Sequence, residues 1–187
     1  DSTIIARRHG MWFDVPLCYP GSQTPDGPKV AGLVVSSLRD NAPIHLDVIG
    51  VGSSPYDYLR DLSVQVVGVN VAESATRSDK SGRLLFKNLR SQIWWMMREA
   101  LDPANNTGIC LPPDSRLKAD LCAAWWKLSG KTVYVCSRED IIDKIGRSPD
   151  YATAYNLALM DTPKIKNLIA ALGGKKSRKD YNPYSRM

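Results

Sequence analysis

The sequence predicts a mixed α/β sheet flanked by helices. Three observations carry that expectation. Runs rich in β-branched residues alternate with runs of helical spacing along the chain. The first two strand-like runs adjoin across a short turn and predict an antiparallel hairpin, so the sheet is mixed rather than purely parallel. No self-similarity recurs at a period of about 20 to 50 residues, which excludes a solenoid or propeller.

Each element has its own signal. Residues 2–8 and 11–19 are the hairpin arms around His9-Gly10. Residues 20–28 are turn-rich, and residues 29–38 place Val30, Leu33, Val34 and Leu38 on one helical face. Residues 43–49 form a short apolar strand that carries Asp47 and runs into Gly50-Val51-Gly52. Ser54 is expected to cap a helix to about Asp61, with Pro55 in its first turn. Residues 64–71 read as the next strand and 73–83 as a polar loop. Residues 85–101 have the length of one long helix, with Ile93, Trp94, Met97 and Leu101 turned inward. Residues 114–126 resume a helix and 131–136 a strand. Ser137, with Asp140 three positions on, predicts a capping box for a helix over 138–145, and Ser148-Pro149 opens a last helix to about Met160.

Composition bounds the function. With 187 residues, 43% hydrophobic and 24% charged, the chain can bury a core without metal or disulfide staples. No apolar run approaches the ~20 residues that cross a bilayer, and residues 1–9 lack a secretory leader's pattern. Cys18, Cys110, Cys122 and Cys136 show no metal-ligand spacing and read as reduced, mostly buried thiols of a cytoplasmic protein. The net charge of +6 is lopsided: residues 161–187 hold seven basic groups against Asp161 and Asp180. Residues 1–162 are therefore expected to form a nearly neutral domain, and 163–187 a basic tail. Such a tail either follows a phosphate backbone or is a solvated end.

In open sheets of this kind sites gather at the carboxyl ends of central strands, which directs attention to Asp47. A carboxylate between Leu46 and Val48 either faces solvent from an alternating strand or is held by a cation. Asp150, at the start of the last helix, suits the positive end of the helix dipole and equally suits a metal. If the two acids meet, hard oxygen donors without a thiolate or imidazole cluster favour Mg2+ or Mn2+. Two such ions about 3.5–4 Å apart serve phosphodiester hydrolysis. Arg147 would then hold a phosphate, or it braces a loop. Gly130-Lys131-Thr132 lacks the opening glycine of a phosphate-binding loop, and His9 and His45 have no partners at ligand spacing. Trp94-Trp95 and Trp125-Trp126 read as core.

Three segments together resemble a known family: residues 44–52 (Ile-His-Leu-Asp-Val-Ile-Gly-Val-Gly), Phe86-Lys87-Asn88-Leu89-Arg90 with Trp94-Trp95, and residues 146–152 (Gly-Arg-Ser-Pro-Asp-Tyr-Ala). In this order they are similar to the nuclease domain of the large terminase subunit of tailed bacteriophages, over nearly the whole chain to about Met160. The resemblance implies a ribonuclease-H-like fold that cuts concatemeric double-stranded DNA during genome packaging, with two Mg2+ or Mn2+ ions. On it, Asp47 matches the metal-binding aspartate before the glycine loop and Asp150 the one opening the late helix. The family's first aspartate lies on a strand just upstream of the segment beginning Asp-Ser-Thr-Ile-Ile, so that strand is expected to lie outside this chain. Asp1 matches a nearby acidic position that assists the site in some members.

The implied partners are double-stranded DNA and, in the parent assembly, the portal protein and the small terminase subunit, in the cytoplasm of an infected bacterial host and with no membrane. Lys175, Lys176, Arg178 and Lys179 of the tail, with Arg147, are the candidate DNA contacts. The competing readings are a non-catalytic module of the same fold that docks on DNA or the portal, and another ribonuclease-H-like nuclease such as a resolvase or integrase.

Overall fold

A computed structural model describes residues 2–161. Asp1 and the tail with Lys175, Lys176, Arg178 and Lys179 lie outside the described residues. The chain opens with the expected hairpin, interrupted in the middle. Strand β1 (Ser2–Ile5) pairs antiparallel with β4 (Leu17–Pro20), and β2 (Arg8–His9) with β3 (Trp12–Phe13) around Gly10 at φ +63°. The ladder breaks where Pro16 has no N–H to donate and Arg7 pairs with Asp14.

Helix α1 (Gly27–Ser37) is capped by Asp26, whose carboxylate accepts the Lys29 N–H at 2.9 Å, with Pro28 in the first turn. Its buried residues are Gly27, which stands against Ser54 and Pro55, and Ala31 and Val34, which pack with Leu59 of α2 (Ser53–Asp61). Between them β5 (Ile44–Asp47) runs parallel to β6 (Val66–Val69), with Asp47 opposite Val69. Helix α2 begins one residue before the expected cap: Gly52 stands at its N-cap and no side chain caps it.

The second half differs from expectation at two places. Residues 85–101 are not one helix. Leu85–Phe86 form strand β7, and Asn88 caps α3 (Leu89–Leu101) by accepting the Ser91 N–H at 3.0 Å. Ile93 and Met97 are 1% exposed, but Leu101 is 42% exposed and Ala100 faces inward instead. Helix α4 (Ser115–Ala123), capped by Asp114, stops before Trp126, which belongs to strand β8 (Trp126–Ser129). Gly130, at φ +59°, turns β8 into β9 (Thr132–Val135). β9 is the centre of a three-stranded sheet, antiparallel to β8 and parallel to β7. Ser137 and Asp140 form the expected capping box of α5 (Arg138–Ile145), and α6 (Asp150–Leu159) closes the described chain.

The core is continuous across α3, α4 and α6. Ile93 and Trp94 meet Val69, Ile141, Ala152 and Leu157, while Phe13, Met97, Leu117 and Tyr155 fill the other side of α6. Trp94 and Trp95 are buried as expected, whereas Trp125, in the link before β8, and Trp126, on the edge strand β8, are about half exposed. Only Cys136 is buried; the other three thiols are exposed, and all four are free.

The remaining pairs, β1 with β4 and β5 with β6, are separate two-stranded ladders. β1 and β5 line one cleft of about 1700 Å³. Each has a second backbone edge with no ladder partner among the described residues.

Candidate active site

Asp47 is the last residue of β5, and the turn after it is shaped around its backbone. A Cβ at Gly52 would collide with the Asp47 carbonyl oxygen, and Gly50 sits at φ +72°, so both glycines are required for the chain to fold back over the strand end. The Asp47 carboxylate accepts the Ile49 N–H at 3.0 Å through Oδ1, which fixes its rotamer at the cleft wall.

Asp150 is the first residue of α6. Its Oδ1 accepts the Ser148 hydroxyl at 2.5 Å and its Oδ2 the Ser2 N–H at 3.3 Å, which ties the start of β1 to the start of the helix. Asp150 lines the same cleft as Asp47, although about a hundred residues of sequence separate them. Among the described residues there is no group of three or more histidine, cysteine or acidic side chains that could hold a metal. Two carboxylates on one cleft supply hard oxygen donors of the kind Mg2+ and Mn2+ take.

Arg147 is drawn into the fold. It forms an ion pair with Asp120 at 2.6 Å, donates to the Arg116 carbonyl at 3.1 Å, and stands over the Tyr151 ring. Asp120 is fully buried and accepts the Ala152 N–H at 3.2 Å. Burial pushes its carboxyl above the usual range, against the pull of the Ala152 N–H and Arg147. The pair pins the first turn of α6, and with it Asp150, to α4.

Arg8, Arg138 and Glu139, which the sequence does not single out, also line the cleft, as do Arg90 of the second family-like segment and His45, set aside for want of partners at ligand spacing. Arg8 donates to the Ala158 and Leu159 carbonyls and so closes the end of α6. The His45 ring bonds the Leu157 carbonyl through Nδ1 at 3.0 Å, which requires a proton on that nitrogen, and burial lowers its pKa. Arg90 donates Nε to the Cys136 carbonyl at 3.0 Å, and desolvation is the largest influence on its guanidinium, lowering its pKa. Its position in the segment after Phe86 was a usable signal, since a charged residue four before Trp94 on a buried helix has to be accommodated at a boundary.

The backbone arrangement has solved counterparts. Over 87% of this chain and 83% of the other, at 17% identity and a TM-score of 0.65, it superposes on a single-residue variant of the nuclease domain of the large terminase subunit gp2 of bacterial virus Sf6, solved with manganese and beta-thujaplicinol. The domain without the substitution matches at 17% identity, the same coverage of both chains and a TM-score of 0.64. A variant of it with calcium gives 17% identity over 87% and 83% of the chains and a TM-score of 0.64. The fold is that of a terminase nuclease domain. No family model matches the chain, and no curated protein does. Among the described residues no helix is long and apolar enough to cross a membrane.

Proposed function

We propose that the chain is the metal-dependent DNA endonuclease domain of a viral packaging terminase. The observation that carries the reading is that Asp47 and Asp150, from distant parts of the sequence, line one cleft of a terminase-nuclease fold. In this reading both carboxylates hold Mg2+ or Mn2+, two ions in the complete site, with Asp1 assisting. A divalent ion bound there activates water and neutralises charge on the phosphate. The chain's own contribution is placement. Ile49 N–H and the glycine turn hold Asp47 at the strand end, and Ser148, Ser2 and the Asp120–Arg147 pair hold Asp150 at the helix start.

Lys175, Lys176, Arg178 and Lys179 add sequence-independent affinity along the backbone of double-stranded DNA. The portal protein and small terminase subunit are its partners in the parent assembly, in the cytoplasm of the bacterial host. Arg147, braced by Asp120 and still one-third exposed, is the further candidate DNA contact beside the start of α6.

A docking module is the second reading. Both oxygens of Asp150 already accept hydrogen bonds, and among the described residues no three histidine, cysteine or acidic side chains stand together as a group that could hold a metal.

The test is Mn2+-dependent plasmid cleavage by Asp47→Asn and Asp150→Asn, with calorimetric titration of Mn2+ alongside. Loss of about a hundredfold or more in rate for each, with folding intact and Mn2+ binding abolished, is expected. Cleavage at the parent rate by both variants removes the site, and a parent that binds no Mn2+ favours docking. Preference for branched DNA over linear duplex would favour the resolvase-like alternative.

A further inference from the structure

The cleft wall holds a cation that the fold leaves incompletely used. Arg90 is the second residue of α3 and lines the cleft with Asp47 and Asp150. Its Nε is spent on the Cys136 carbonyl, and its guanidinium carbon stands 5.2 Å from the centre of the Trp94 ring. These two contacts fix the plane of the fork. One terminal nitrogen, Nη2, is buried and has no hydrogen-bond partner among the described residues. Among the described residues no carboxylate forms an ion pair with the side chain.

That arrangement is costly by itself. A guanidinium offers five N–H donors in a rigid fork, and a buried donor left unmade costs about 1–3 kcal/mol, more when charged. Bracing the Cys136 carbonyl would need only one neutral donor. An anion in the cleft removes the penalty. A phosphodiester suits the fork, which matches planar pairs of oxygens. It also suits the surroundings, because Asp47, Asp150 and a phosphate are all negative and a cation is needed beside them.

We propose that Arg90 grips the non-bridging oxygens of the phosphodiester bound in this cleft, beside the end of β5. The inference rests on the nuclease reading and supplies the anion-holding half of the site, which two carboxylates cannot provide.

The test follows the Nε–Hε proton resonance of Arg90, assigned by its loss in Arg90→Lys. A thymidine dinucleotide, and separately sodium sulfate, are titrated into the full chain in Mg2+. A saturable shift with the dinucleotide is expected. Arg90→Met is expected to lower kcat for Mn2+-dependent cleavage of a short duplex by about a hundredfold. Arg90→Lys should lose less, since it keeps the charge but not the fork. Arg90→Met also loses the bond to the Cys136 carbonyl, so cleavage is compared at a temperature where every variant is folded, and partial recovery of kcat by Arg90→Lys over Arg90→Met is the result that a purely structural role would not give.

A resonance that does not move with dinucleotide, or that moves with sulfate alone, overturns the proposal. So does Arg90→Met cutting at the parent's rate. Failure of the nuclease reading has a different signature: the parent does not cut, yet the Arg90 resonance shifts with dinucleotide, and the grip on a phosphodiester stands in a docking cleft.

Discussion

On the α3, α4 and α6 side of the molecule, Ile93, Met97, Leu117 and Tyr155 are at most 1% exposed and pack in a sealed interior. On the β1 and β5 side, all eight residues of the two strands are only partly buried, and both strands border the cleft that carries the acids. The difference separates two tasks. The sealed side supplies most of the buried apolar surface, and hence the fold's stability. The cleft side keeps its strands half-buried among the described residues and gathers charged groups along one wall.

Truncations on the two sides put this separation to its strongest test. Ile93→Ala should destabilise by about 2–5 kcal/mol, because its neighbours cannot close the cavity. Ile44→Ala, on the half-buried strand β5, should cost about 1 kcal/mol, since less area leaves contact with protein. Urea unfolding measures both, and equal costs would show that the open side is as well packed as the other.

Asp120→Ala sharpens the boundary between the two. It leaves the Arg147 charge unpaired and removes the acceptor for Ala152 N–H, for a loss of about 2–3 kcal/mol. Solvent around Arg147, 34% exposed, keeps the cost below that of a wholly enclosed pair. Mn2+ affinity at Asp150 should weaken along with melting temperature, and unchanged Mn2+ affinity would show that the pair braces only the core.

The smallest effect concerns His45. Burial lowers its pKa from the ordinary 6.5, so the folded chain holds it neutral while the unfolded chain takes up a proton below that value. Stability should therefore fall as pH drops through 6.5 toward the folded value, and His45→Asn should flatten that part of the profile. A slope unaltered by the substitution would place the titration elsewhere.

What was legible in the sequence was local or chemical. The Ser137–Asp140 box could be read because cap and helix lie within four residues. Asp47 stood out because a carboxylate in an apolar run needs a reason. The strands β7 and β8 were not legible, since two to four residues become a strand only by pairing with β9, a partner that local patterning does not name. Trp126 was drawn into the preceding helix for the same cause. For Arg147 the sequence leaves a phosphate contact and a loop brace both open, and its ion pair with Asp120 depends on how α4 packs against α6, which spacing along the chain does not show. The orphaned nitrogen of Arg90 is likewise a property of the assembled wall, although the residue lay in a segment already singled out.

The exposed thiols of Cys18, Cys110 and Cys122 bear on how the protein is handled. Surface thiols in air form mixed and intermolecular disulfides, whereas the buried thiol of Cys136 is shielded from oxidant. A reductant in storage would therefore keep the preparation uniform without touching the core.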